Sequence, residues 1–130
     1  MTTRARDIMS TSLVTARPEE PVREVVKRMV EHSVGSVLIV DDEGRLAGIF
    51  TERDLARLVA RGASLEEPVS KYMSRSPVTA SPDEPLAKIA TKMIEHWLRH
   101  IPVVDEQGRP LGVISIRDVL RVIASFESFP

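Results

Sequence analysis

The sequence repeats itself, and this duplication constrains the fold more than any other feature. Residues 7–60 align with residues 71–124 without a gap. The identical segments include Met9-Ser10 with Met73-Ser74, Val14-Thr15-Ala16 with Val78-Thr79-Ala80, and Gly44-Arg45 with Gly108-Arg109. A unit of about 55 residues has too little core to be secure alone. We therefore expect the two copies to pack face to face around a pseudo-twofold axis.

Each copy changes its hydrophobic period in the same order, which predicts the same elements twice. Helical spacing is followed by Val22, Val25, Val26, Met29 and Val30, and again by Leu86, Ile89, Ala90, Met93 and Ile94. Two short apolar runs around a glycine turn then predict a hairpin, and a second helical pattern follows. We predict an α+β fold of two tandem βαββα repeats with short three-stranded sheets flanked by helices. The predicted boundaries are residues 1–62, a linker at 63–70, and residues 71–130.

Composition excludes several classes of protein. The 130 residues are 42% hydrophobic and 28% charged, which is ordinary globular usage and indicates neither disorder nor a membrane span. The chain has no cysteine, hence no disulfide or thiolate metal site. Its net charge is −1 with both signs interspersed, so no basic stripe for nucleic acid is visible. The first residues lack the apolar core that a signal peptide has, so we expect a cytoplasmic location.

The closing motif of each copy is Gly-Ile-Phe-Thr-Glu-Arg-Asp at residues 48–54 and Gly-Val-Ile-Ser-Ile-Arg-Asp at residues 112–118. A hydroxyl residue followed three positions later by an acid is close to a capping box, which only stabilises a helix. The same geometry also suits a ligand. A helix N-terminus attracts phosphate, a carboxylate can accept both hydroxyls of a ribose, and Arg53 or Arg117 can pair with phosphate. The motif alone is compatible with both interpretations.

The doubled pattern, with its order of elements and its Gly-apolar-x-Thr/Ser-x-x-Asp ending, resembles a pair of cystathionine-β-synthase (CBS) domains, a Bateman module. The resemblance covers roughly residues 4–126. It implies a disk-like homodimer and clefts that bind adenosine-containing ligands such as AMP, ADP, ATP or S-adenosylmethionine. In that family the aspartate holds the ribose, and the threonine or serine contacts ribose or phosphate. The base lies against the early extended segment and the strand entry of the partner repeat.

Carried over to this sequence, the resemblance implies two clefts. The first would use Thr51, Arg53 and Asp54 together with Val78, Thr79, Ala80, Leu98, Arg99 and His100. The second would use Ser115, Arg117 and Asp118 together with Val14, Thr15, Ala16, Val34, Gly35 and Ser36. Because Arg99-His100 stands where the other copy has Gly35-Ser36, the first cleft has more positive charge. We therefore expect tighter nucleotide binding at the Asp54 cleft.

No catalytic or metal constellation emerges. The nucleophile-elbow, P-loop and Rossmann patterns are absent. His96 and His100 are four apart, but the helix should end near Trp97, which argues against a metal site. Together with this absence, the resemblance implies a non-enzymatic regulatory module, with an adenine nucleotide as effector rather than cofactor, signalling to a protein partner in trans. The alternatives are a structural or dimerisation module without nucleotide, and binding of S-adenosylmethionine or nucleic acid.

Overall fold

The computed structural model describes residues 2–126, and Met1 and residues 127–130 lie outside this description. In chain order the elements are α1 (Ala5–Ile8), β1 (Thr15–Ala16), α2 (Val22–His32), β2 (Ser36–Val40), β3 (Leu46–Thr51), α3 (Glu52–Ala60), a 3₁₀ turn (Val69–Lys71), β4 (Ser74–Arg75), α4 (Leu86–His96), β5 (His100–Val104), β6 (Pro110–Ser115) and α5 (Ile116–Phe126). The predicted α+β class is confirmed, but in place of two three-stranded sheets the described residues form one sheet of four strands and one of two, because the segments beside the second hairpin make only isolated bridges.

The chain forms two compact units, one of Leu13–Pro77 and one of Met1–Ser12 with Val78–Pro130. In the Leu13–Pro77 unit the sheet order is β1-β2-β3-β4, with β1 parallel to β2 and the other pairs antiparallel. The helix α2 buries Val22, Val25 and Met29 of the apolar stripe predicted from its spacing, whereas Val30 of that stripe is 74% exposed, and α3 buries Leu58. Their buried residues Val25 and Leu58 join Val37 and Phe50 of the hairpin in one core.

The other unit repeats this plan around the antiparallel hairpin of β5 and β6. Ala80 forms a parallel bridge to Val103 on one side of the hairpin, and Ser10 forms an antiparallel bridge to Val113 on the other. Its core contains Ile89 of α4, Ile101 and Ile114 of the hairpin, and Val119 of α5.

Each hairpin pairs on one side with a short segment from the other repeat of the alignment: β4 pairs with β3, and Ser10 bridges Val113 of β6. Residues 4–10 belong to the first repeat in sequence but pack with the hairpin of the second, and Val69 of the predicted linker is fully buried in the core of Leu13–Pro77. The compact units therefore group the chain differently from the predicted repeat boundaries, which describe the duplication in sequence.

The glycine that opens each closing motif permits this close approach. A Cβ on Gly48 would lie 2.8 Å from the Ser74 carbonyl oxygen and 2.8 Å from Met73 Sδ. A Cβ on Gly112 would lie 2.6 Å from Met9 Sδ. A larger residue at position 48 would push β3 away from the Ser74 backbone, and one at position 112 would displace Met9. The repeated Met-Ser pairs of the sequence are thus the segments that cover these glycines.

Candidate functional site

Thr51 and Asp54 form the first of the two repeated motifs, at the point where β3 ends and α3 begins. The Thr51 N–H and Oγ1 both donate to Asp54 Oδ2, at 2.9 and 3.1 Å. In return the Asp54 N–H donates to Thr51 Oγ1 at 3.4 Å. This reciprocal arrangement is a capping box, so the structural interpretation of the motif is confirmed.

Asp54 has one more donor, which sequence reasoning missed. Ser74 of β4 donates its hydroxyl to Asp54 Oδ1 at 3.2 Å. Because β4 pairs with β3 next to Gly48, this serine is brought to the carboxylate from 20 residues away. Asp54 is only 5% exposed. The signal in the sequence was the recurrence of Met-Ser at residues 9–10 and 73–74.

The second motif has the same cap but a more open carboxylate. The Ser115 N–H donates to Asp118 Oδ2 at 2.8 Å, and the Asp118 N–H donates to Ser115 Oγ at 3.1 Å. Arg121 Nη1 approaches Asp118 Oδ1 at 3.4 Å from the next turn of α5. The Asp118 side chain is 19% exposed and that of Arg121 is 66% exposed.

The strand-entry residues lie beside the cap of their own repeat. Ser36 pairs with Thr51 in the hairpin ladder, and His100 pairs with Ser115 in the other. The first helical N–H of α3, from Glu52, donates to the Gly35 carbonyl at 3.1 Å, and that of α5, from Ile116, donates to the Arg99 carbonyl at 2.8 Å. Gly35 and Arg99 therefore already satisfy one N–H that sequence reasoning had offered to a phosphate.

The arginines of the motifs remain turned to solvent. Arg53 and Arg117 are both exposed, each one residue before the capping aspartate. Within residues 2–126 neither guanidinium forms an ion pair. Both therefore keep their full donor capacity for an anionic group.

The early extended segments, which the resemblance assigns to the base, are held by charged side chains. Arg28 of α2 donates to the Thr15 carbonyl at 3.1 Å and pairs with Glu20. Hydrogen bonding to Arg28 lowers the pKa of Glu20, and the same bond raises the pKa of Arg28. We call this pair with its carbonyl the Glu20–Arg28 clamp.

The second repeat has a matching Glu84–Lys92 clamp. Lys92 Nζ donates to the Thr79 carbonyl at 2.8 Å and to the two oxygens of Glu84 at 2.9 and 2.8 Å. The neighbours Ala16 and Ala80 are buried in their respective cores, whereas Val14, Val34, Val78 and Leu98 are half-buried. Each unit thus contains one extended segment held by a clamp and one capped carboxylate.

The two histidines four positions apart, His96 and His100, lie on different elements. The helix α4 ends at His96, Trp97 takes the left-handed conformation with φ of 56°, and His100 begins β5. No cluster of three potential metal ligands occurs among the described residues. Nor does any helix in residues 2–126 have the length and hydropathy needed to cross a bilayer.

Comparison with known proteins supports the resemblance in sequence and in structure. The family model for the CBS domain matches residues 5–61 and again residues 69–125. The chain is 31% identical over 123 residues to an uncharacterized 17.7 kDa protein of Acidianus ambivalens, which covers 95% of this chain and 74% of that protein. It is 32% identical over 120 residues to the L-aspartate semialdehyde sulfurtransferase of Methanocaldococcus jannaschii, covering 92% of this chain but only 23% of the enzyme.

Two solved structures are similar over nearly the whole chain. The CBS domain pair of protein MJ0100, in complex with 5′-methylthioadenosine and S-adenosyl-L-methionine, has a TM-score of 0.91 and 30% identity, covering 98% of this chain and 100% of that one. The CBS domain protein PAE2072 from Pyrobaculum aerophilum, complexed with AMP, has a TM-score of 0.85 and 27% identity, covering 95% and 99%. CBS pairs are typically regulatory rather than catalytic. The two family matches and the repeated capped aspartates show that this chain belongs to the CBS domain family, as a tandem pair.

Proposed function

We propose that this protein is a regulatory module whose effector is an adenosine-containing ligand, AMP, ADP or ATP, and that it signals to a protein partner in trans. The observation that carries the proposal is the repeated carboxylate at a helix start, Asp54 and Asp118. Two similar CBS pairs hold adenosine compounds, AMP in one and S-adenosylmethionine with methylthioadenosine in the other. The shared chemical element of these ligands is the adenosine.

The role of each residue follows from its chemistry. The aspartate accepts the ribose hydroxyls, and Thr51 or Ser115 contacts ribose or phosphate. The exposed Arg53 and Arg117 pair with phosphate. We assign the adenine base to the extended segments around Thr15 and Thr79 and to the strand entries at residues 34–36 and 98–100.

Titration calorimetry with AMP, ADP, ATP, S-adenosylmethionine and methylthioadenosine tests the proposal. We expect at least one of these ligands to bind and to raise the melting temperature, because a ligand at 100 times its Kd increases the free energy of unfolding by about 2.7 kcal/mol. Replacing both Asp54 and Asp118 by asparagine should abolish binding, whereas the exposed turn variant Glu106→Gln should bind normally. If no ligand binds or shifts the melting temperature at millimolar concentration, a structural or dimerisation module becomes the better account.

We further propose that the protein is a homodimer that uses an apolar face on α4 and α5, two helices that contact each other. Ile94 and Trp97 are 76% and 78% exposed, and Leu120 and Ile123 are 58% and 43% exposed. We call these four residues the α4–α5 face. The matching positions of the first repeat are Val30, Ser33, Ala56 and Val59, which are smaller or more polar.

The area of the α4–α5 face supports a second copy as its occupant. Four such side chains expose on the order of 500 Å², at the upper end of the ~300–600 Å² typical of the largest patch on a monomer. A stable interface buries about 800 Å² per partner, so the α4–α5 face would form the apolar centre of a dimer interface and the polar surface around it would supply the remaining area. Analytical ultracentrifugation of Leu120→Glu should show monomer where the wild type and the matched variant Ala56→Glu remain dimeric. A monomeric wild type at micromolar concentration would exclude the homodimer.

Regulation rather than catalysis is also part of the proposal. The enzyme that this sequence resembles is about four times longer, since the chain spans only 23% of it. The name of that enzyme therefore describes segments that this chain does not match. The cytoplasmic location stays a prediction from the sequence.

A further inference from the structure

The two capped aspartates differ in how many hydrogen bonds they still can accept. A carboxylate offers about four acceptor positions. Asp54 has filled three of them, two with the Thr51 N–H and hydroxyl and one with the Ser74 hydroxyl. Asp118 has one firm donor, the Ser115 N–H at 2.8 Å. Its other contact, with Arg121, is long at 3.4 Å.

The remaining contact of Asp118 is also easily given up. The Arg121 side chain is 66% exposed, and an ion pair with such a side chain contributes little because water screens it. Asp54, in contrast, is 5% exposed and is enclosed by its protein donors. A ligand that needs two acceptor positions on Asp54 has to displace one of these hydroxyls.

A vicinal diol, such as that of a ribose, donates two hydrogen bonds and needs two acceptor positions on one carboxylate. Asp118 has them, and Asp54 has one. We propose that Asp118 is the primary acceptor of the ligand diol and that Ser74 reduces binding at Asp54 by occupying its second oxygen. This inference rests on the proposed function. It places the tighter binding at Asp118, whereas the positive charge of Arg99-His100 predicted tighter binding at Asp54. The order is reversed because hydrogen bonding to the diol, and not the charge near the phosphate, then sets the relative affinity.

Within the described residues, the hydrogen bond from Ser74 to Asp54 has no counterpart between the matching Ser10 and Asp118. Ser10 occupies the equivalent backbone position, exchanging two hydrogen bonds with Val113 as its N–H donates at 2.9 Å and its carbonyl accepts at 3.0 Å. Within the described residues its hydroxyl does not bond to Asp118. Ser10→Ala is therefore a matched control for Ser74→Ala.

Titration calorimetry with AMP on wild type, Asp118→Asn, Asp54→Asn, Ser74→Ala and Ser10→Ala tests the inference. For wild type we expect a tighter event that Asp118→Asn weakens at least about tenfold and Asp54→Asn leaves within about twofold. Ser74→Ala should strengthen the weaker event about 3- to 10-fold, the equivalent of one hydrogen bond, and Ser10→Ala should leave both unchanged. Circular dichroism melting confirms that each variant is folded.

Three outcomes overturn the inference. The first is a tighter event lost in Asp54→Asn and kept in Asp118→Asn. The second is a Ser74→Ala variant whose weaker event is unchanged or weaker still. Absence of any AMP binding by the wild type would instead remove the proposed AMP function, and this inference with it, whereas the first two outcomes leave that function intact.

Discussion

Replacing Lys92 by methionine isolates the contribution of the Glu84–Lys92 clamp. An ammonium has three N–H donors, and Lys92 directs them to the Thr79 carbonyl and to both oxygens of Glu84. Methionine keeps most of the apolar stem and removes the charge. The variant leaves Glu84 with only a long bond of 3.4 Å from the Ser81 N–H, and leaves the Thr79 carbonyl without its lysine donor.

The exposure of the pair sets the expected magnitude. The side chains of Lys92 and Glu84 are 22% and 15% exposed, which places them between a surface pair worth about 0–1 kcal/mol and a buried pair whose breakage costs about 3–5 kcal/mol. We expect Lys92→Met to lower the free energy of unfolding by about 2 kcal/mol. For a chain of this length that corresponds to a fall in melting temperature of roughly 6–8 °C.

Urea denaturation of a double-mutant cycle measures this contribution. Glu84→Gln and Lys92→Met should be non-additive, with a coupling of about 1 kcal/mol or more. Lys92→Arg should retain most of the stability, and Lys88→Met, on the exposed side of α4, should change it by less than about 0.5 kcal/mol. Additive losses, or a Lys92→Met variant as stable as Lys88→Met, would refute the reasoning.

The remaining predictions concern the glycine contacts and the acid side of the pH profile. Gly48→Ala should cost about 1–3 kcal/mol, because its Cβ would meet a backbone oxygen at 2.8 Å. Gly112→Ala should also destabilise the protein, because Met9 Sδ and Cγ can rotate away but Met9 Cβ, at 2.9 Å, is fixed to the backbone, and a variant as stable as wild type in urea unfolding would contradict this. The Arg28 bond lowers the pKa of Glu20 below 4.5 in the folded state, so its stabilisation is present above the unfolded pKa and lost as the pH falls. The melting temperature difference between wild type and Glu20→Gln should thus shrink below about pH 4, and a difference equal at pH 3 and pH 7 would count against it.

The predictions that succeeded rest on contacts between residues close in sequence. The spacing of Val22, Val25 and Met29 predicted a helix whose buried residues are those three. The capping boxes also join residues three positions apart. Such local geometry is nearly the same in any fold, so the pattern of residues is enough to predict it.

Val69 shows where this reasoning stops. It lies in a segment predicted to be a linker, yet it is fully buried in the core of the Leu13–Pro77 unit. A single apolar residue among polar neighbours carries no period, so nothing in the local sequence distinguishes a buried valine from an exposed one. Its partners are apolar surfaces of α2 and the hairpin, which only the folded chain brings to it.

By itself, the sequence determined the duplication, the order of elements and the two aspartates at helix starts. Only the tertiary structure decided that Ser74 donates to Asp54 while Ser10 leaves Asp118 open, although both serines follow a methionine at matching positions. The reason is that the acceptor of a serine hydroxyl depends on the side-chain rotamer and on which groups the long-range strand pairing brings within reach. Two identical dipeptides can therefore leave two matching carboxylates in different states.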